Sequence, residues 1–107
     1  MKGQPVEFFD AIEADMRDAR EFYASWQFDG ARVFMDKFRK TIELIESNPE
    51  LFPRRCGFFH RAMIRRTYYA IYYAIEADKT SVVAVLDNRR DPATIRAMLN
   101  QRWTDTQ

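Results

Sequence analysis

Arg61, Arg65 and Arg89 are the residues of this 107-residue chain whose types and spacing best suit them to hold an anion. Each carries a planar guanidinium that can donate paired hydrogen bonds to phosphate or carboxylate. Brought together beside a ribose 2′-hydroxyl, they could stabilise the phosphorane formed during RNA cleavage. Such cleavage also needs a proton acceptor and a proton donor. Arginine, with a pKa above about 12, serves poorly as either. His60, the single histidine, and Asp87 are the candidate bases. Cys56 is the single cysteine, which excludes an internal disulfide and a multi-cysteine metal site. Beside Arg54 and Arg55 it is either a thiol of lowered pKa or an inert loop cysteine. Tyr68, Tyr69, Tyr72 and Tyr73 resemble stacking aromatics on an RNA-binding sheet, although strands favour tyrosine for packing alone. No cofactor or metal is called for by this inventory.

The net charge of +1 hides an asymmetry. Residues 1–50 carry 7 Lys/Arg against 11 Asp/Glu, whereas residues 51–107 carry 10 against 5. Nine of those ten cations are arginine, so the second half holds whatever attraction the chain has for an anionic partner. The length suits one domain, residues 1–107. Hydrophobic residues at 47% suffice for a core, and charged residues at 31% suit a solvated surface. No stretch approaches the roughly 20 apolar residues of a membrane span, and Met1–Phe9 lacks the apolar run of a signal peptide. A cytoplasmic protein that contacts no membrane is the expectation.

These residues must be positioned by a small set of elements. Gln4–Phe8 is a candidate first strand. Apolar positions at Phe9, Ile12, Met16, Ala19, Tyr23 and Trp26 then form one stripe of an amphipathic helix. Asp10, Glu13 and Asp15 complement the dipole at its start. Phe28-Asp29-Gly30 reads as a tight turn. A second stripe follows at Val33, Phe34, Phe38, Ile42 and Ile45, and Asn48-Pro49 ends it. Pro49–Gly57 reads as a connecting loop. Phe58–Arg65, Tyr68–Glu76 and Ser81–Asp87 read as a three-stranded antiparallel meander, with tight connections near Arg66-Thr67 and over Ala77–Thr80. Pro92 opens a short C-terminal helix, Asp91 being a plausible N-cap, with Ile95, Met98 and Leu99 as its apolar set and Trp103 beyond it. The fold class is α+β: an N-terminal strand, a two-helix hairpin packed on a small meander, and a short last helix.

Loop closure predicts which residues share a face. The pairs Ile64–Tyr69, Ala62–Ile71 and His60–Tyr73, with Ile75–Val82, Tyr73–Ala84 and Ile71–Leu86, would lie under the helix hairpin. His60 then reads as a structural histidine. The opposite face would carry Arg61, Met63, Arg65, Tyr68, Ala70, Tyr72, Ala74, Val83, Val85 and Asp87, with Arg89 continuing the alternation. Only one short helix remains to cover it. An exposed face that is half apolar and half arginine–tyrosine implies a protein partner. Trp26 is either a lid on the core or an exposed anchor.

The order of these segments resembles the RelE/ParE toxin superfamily, nearer its ParE-like plasmid-stabilisation branch. The resemblance is carried by the helix hairpin, Asn48-Pro49-Glu50-Leu51-Phe52-Pro53, Tyr69-Ala70-Ile71-Tyr72-Tyr73, Val82-Val83-Ala84-Val85-Leu86 and Arg89-Arg90-Asp91-Pro92, and it runs from about residue 5 to residue 100. It implies the toxin half of a bacterial type II toxin–antitoxin pair. It also implies a cognate antitoxin, a small ParD-like protein with a segment that folds on binding. ParE-type members poison DNA gyrase, and RelE-type members cut messenger RNA on the ribosome. The lysines and late tyrosine of RelE-type nucleases have no counterpart here: no lysine lies between Lys40 and Lys79, and no tyrosine follows Tyr73. Where many relatives have a histidine, this chain has Asp87. The leading expectation is therefore a ParE-like gyrase inhibitor without chemistry of its own. Arg61, Met63, Arg65, Tyr68, Tyr72, Asp87, Arg89 and Arg90 are the candidate antitoxin- or target-binding residues. The alternative is a RelE-like ribosome-dependent endoribonuclease with Arg61, Arg65 and Arg89 as its catalytic residues.

Overall fold

The two apolar stripes become helices α1, Ile12–Trp26, and α2, Gly30–Ser47, in a computed structural model that describes residues 2–106. The helices form a hairpin whose turn depends on Gly30. A Cβ there would lie 1.9 Å from the Tyr23 carbonyl oxygen, so a side chain would force the two helices apart. At the other end of α2, the Asn48 side chain accepts the Glu50 N–H at 3.3 Å. The chain leaves the helix there through one 3₁₀ turn, Pro49–Leu51.

The sheet has five strands rather than the three of the expected meander. Val6–Phe8 is β1, Arg54–Cys56 β2, Phe59–Met63 β3, Tyr69–Ile75 β4 and Thr80–Asp87 β5. Their order across the sheet is β1-β5-β4-β3-β2, with β1 parallel to β5 and the other neighbours antiparallel. Strand β2 lies inside the segment read as a loop. Its residues, Arg54, Arg55 and Cys56, carry no apolar alternation, because an edge strand needs none and charges there discourage further pairing. Gly57, at φ +60°, makes the reversal into β3.

The β3–β4 register agrees with the expected pairs: His60 faces Tyr73 and Ala62 faces Ile71. The β4–β5 register does not. Ile75 pairs with Thr80, Tyr73 with Val82 and Ile71 with Val85, rather than with Val82, Ala84 and Leu86. Two causes combine. The turn is tighter than supposed, closing by Glu76 N–H to Lys79 O at 2.9 Å. A bulge at Val83-Ala84 then moves every later residue by one position. Ala84 and Leu86 consequently leave the hairpin side, and Val85 and Asp87 join it.

The hairpin covers one face, where Ile12, Met16, Ala19, Phe34, Phe38 and Ile45 pack on Ala62, Ile64, Ile71, Tyr73, Val82 and Val85. The last helix, α3, Pro92–Thr106, covers the other. Asp91 caps it, its Oδ2 accepting the Thr94 N–H at 3.2 Å. Ile95 and Leu99 seat against Phe59, Ala70, Tyr72, Ala74, Val83, Ala84 and Leu86, and Trp103 stacks on Phe9 with ring centroids 5.9 Å apart. The face expected to be open is thus mostly a second core. Each large apolar side chain buried there contributes about 1.5–3 kcal/mol. Among the described residues, no helix is long and apolar enough to cross a membrane.

Candidate functional site

The candidate residues fall at three places, divided by the sheet. The first lies beside the helix hairpin, at the end of β5. Because the bulge rotates Asp87 to this side, Arg89 follows it instead of joining Arg61. Arg89 is held by a fork to Asp87, Nε to Oδ1 at 3.1 Å and Nη2 to Oδ2 at 2.7 Å. Those bonds hold the Asp87 carboxyl below its ordinary range, and the same partner raises the Arg89 guanidinium. So fixed, the guanidinium lies 3.8 Å from the Tyr68 ring centroid and 5.6 Å from that of Phe22. Tyr68 is tied down in turn, its N–H donating to the Tyr23 hydroxyl at 2.8 Å. Trp26, 60% exposed, meets the Tyr68 ring edge-on at 5.8 Å. It is an exposed member of an aromatic cluster rather than a lid.

The second place lies on the α3 side. Arg55, Cys56, Arg61, Tyr72, Asn88, Arg90, Pro92 and Ile95 line a cavity of about 260 Å³. Asn88 organises it: its Oδ1 accepts Arg61 Nη1 at 3.2 Å and the Tyr72 hydroxyl at 2.9 Å. Tyr72, expected on an open face, is only 1% exposed and can present no ring to a partner. Burial raises its phenol pKa, while Arg61 pulls it down. Met63 lies on the same face of the sheet but is exposed. The third place is a groove between α2 and the β3–β4 turn, lined by Lys37, Lys40, Thr41, Leu44, Arg65 and Arg66.

Arg61, Arg65 and Arg89 therefore stand at three separate places and are not brought together. His60 is buried on the hairpin side, its Nδ1 at 2.7 Å from the Phe52 carbonyl and its ring stacked on Tyr73. Tyr69 and Tyr73 belong to the hairpin-side core and Tyr72 to the core under α3, so of the four tyrosines from 68 to 73 only Tyr68, just before β4, is exposed. What the arrangement offers is binding: a rigid arginine on aromatic rings, and cations along a cavity and a groove.

Two further residues matter here: Arg102, not among the sequence candidates, and Asp15, expected only to complement the dipole of α1. Beyond the Phe9 N–H to Val82 O bond, β1 no longer follows β5. There Arg102 of α3 donates to the Val83 carbonyl at 3.0 Å, and Asp15 of α1 accepts the Val85 N–H at 2.9 Å. The two side chains also pair with each other, at 2.6 and 2.9 Å. This ion pair joins the layers on either side of the sheet and satisfies the strand edge between them. The available signal was that both residues fall on the apolar stripes of their helices, Asp15 beside Ile12 and Met16, Arg102 beside Leu99 and Trp103.

The family described as "ParE toxin of type II toxin-antitoxin system, parDE" matches this chain over residues 6–92. No curated protein matches it. The match takes in both hairpin helices and all five strands, and the chain belongs to the ParE toxin family, the toxins of type II toxin–antitoxin systems. Membership implies an antitoxin partner.

Proposed function

We propose that this member of the ParE toxin family arrests growth by binding DNA gyrase, without covalent chemistry of its own, and is neutralised by a small ParD-like antitoxin. The observation that carries this reading is the ordered, exposed patch of Arg89, Tyr68 and Trp26. Arginine, tyrosine and tryptophan dominate protein-binding hot spots, and an arginine already fixed by Asp87 loses little freedom on docking. The dispersal of Arg61, Arg65 and Arg89 gives little support to the alternative, ribosome-dependent RNA cleavage by those three.

The antitoxin's binding segment is acidic and amphipathic and folds as it docks. Its contacts are the exposed members of the candidate set: Met63, Arg65, Tyr68, Arg89 and Arg90, with Arg61 at the margin. Tyr72 and Asp87 act indirectly, Tyr72 through Asn88 and Asp87 by holding Arg89. A plasmid-supercoiling assay with purified gyrase tests the proposal. The toxin should inhibit supercoiling or trap cleaved DNA, and antitoxin should relieve it. Trp26→Ala or Tyr68→Ala should weaken partner binding about 30-fold, as the loss of about 2 kcal/mol at a hot spot implies. Supercoiling left untouched by toxin at growth-arresting concentrations would refute the gyrase target. Messages cut on translating ribosomes would then favour the alternative.

A further inference from the structure

The cavity on the α3 side differs from the exposed aromatic patch in its charge. Its three arginines come from three elements: Arg55 from β2, Arg61 from β3 and Arg90 from the β5–α3 connection. Among the described residues, no carboxylate lines it. Elsewhere the protein supplies acids to its ordered arginines: Arg32, Arg39, Arg89 and Arg102 each hold an aspartate. Here the two acids adjacent in sequence have other partners: Asp87 holds Arg89 and reaches Arg90 only through space, and Asp91 caps α3. Arg61 is instead oriented by a neutral amide, at 3.2 Å from Asn88 Oδ1. That amide oxygen also takes the Tyr72 hydroxyl, which fixes the plane of the amide and leaves its nitrogen as a donor with no protein acceptor among the described residues. Arg90 is steadied by Met98, Nη1 lying 3.4 Å from Sδ, a contact that offsets none of its charge.

Three guanidiniums lining one concavity repel one another. An anion with several oxygens removes that cost and uses the forked donors at once. We infer that the cavity formed by Arg55, Arg61, Asn88 and Arg90 binds a phosphate group. A tetrahedral dianion offers an oxygen to each of the three guanidiniums and another to the Asn88 amide, which a planar monocarboxylate cannot. The volume, about 260 Å³, accommodates a phosphate group. Free inorganic phosphate and the terminal phosphate of a nucleoside monophosphate both satisfy this chemistry. Occupancy would link the edge strand β2 to the start of α3, and so stabilise the fold. The site does not depend on which target the toxin binds.

Calorimetric titration of the full chain with inorganic phosphate and with adenosine 5′-monophosphate, against chloride at matched ionic strength, tests the inference. Saturable binding of one equivalent is expected, together with a rise in melting temperature that grows with ligand concentration. Arg61→Gln and Arg55→Gln should each weaken binding about tenfold, equivalent to about 1.4 kcal/mol. Arg55 is exposed, so its variant retains the fold even if Arg61→Gln does not. Arg55→Lys, which keeps the charge but not the fork, should fall between. Arg39→Gln, on α2, should bind as the unaltered chain does. Equal affinities would identify the free anion as ligand, and tighter binding of the monophosphate would identify a nucleotide. Absence of saturable binding, or binding unchanged by Arg55→Gln, would overturn the inference.

Discussion

Replacing Arg102 with methionine keeps an unbranched stem of similar length but strands a carboxylate. Asp15 is 7% exposed, and both its oxygens face the Arg102 guanidinium, at 2.6 and 2.9 Å. Among the described residues, the Val85 N–H would remain as its only donor. The Val83 carbonyl would lose its side-chain partner as well. Removing one member of a buried ion pair costs about 3–5 kcal/mol, most of it from the uncompensated charge. Against the roughly 5–15 kcal/mol that holds a small domain together, that is a large share. At about 4 °C or more per kcal/mol for a domain near 100 residues, the melting temperature should fall by at least about 12 °C. Urea unfolding followed by circular dichroism measures the loss, which should lower the midpoint with little change in slope. The double variant Asp15→Asn/Arg102→Met separates charge from packing. Asparagine can still accept the Val85 N–H and leaves no charge behind, so the double variant should be more stable than Arg102→Met alone. A loss below about 1 kcal/mol, the value of an exposed pair, would refute the claim that this contact clips α3 to α1. A double variant no better than the single would place the cost in packing instead.

Gly30→Ala should destabilise the chain by about 1–3 kcal/mol or more, since its methyl meets the Tyr23 carbonyl oxygen at 1.9 Å; an unchanged denaturation midpoint would contradict the close approach of the helices. Arg66, at φ 60°, occupies the left-handed region in the β3–β4 turn. Arg66→Gly should raise stability by up to about 1 kcal/mol, the relief of that strain being partly offset by the freer unfolded chain, and a clear loss in thermal melts would count against it. Tyr73, whose hydroxyl donates to the Pro49 carbonyl at 2.6 Å, has its pKa pushed by burial from 10.0 to about 12. The folded state therefore holds this proton more tightly than the unfolded chain. The contribution is complete below pH 10.0 and is lost as pH rises toward about 12. Tyr73→Phe should cost about 0.5–1.5 kcal/mol at neutral pH but flatten the alkaline fall in stability measured by urea titration. Tyr69 and Tyr72, which burial also raises, should retain part of the slope.

The amino-acid sequence determined much of this protein through short-range physics. The periodicity of Ile12, Met16 and Ala19, and of Phe34, Phe38 and Ile45, fixed the two helices, because an apolar stripe at helical spacing has only one way to be buried. Asn48-Pro49 and Asp91-Pro92 marked ends and starts by the dihedral limits of proline. The β3–β4 register was legible from its short connection, and with it the burial of His60. Membership of the toxin family was readable from the order of these segments.

The division of the candidate residues was decided only by tertiary structure. One bulged residue at Val83-Ala84 turned Asp87 and Arg89 away from Arg61, because side-chain alternation converts any one-residue shift into a change of face. No local pattern announces that bulge. It is stabilised by Asp15 and Arg102, residues 87 positions apart in the chain. The burial of Tyr72 under α3 was equally non-local: Ile95, Leu99 and Trp103 make a narrow apolar edge, and where it docks depends on a cap at Asp91 and an ion pair at its far end. The pattern of apolar residues specified which faces needed covering. Only the assembled layers determined which arginines shared a cavity and which were left facing a partner.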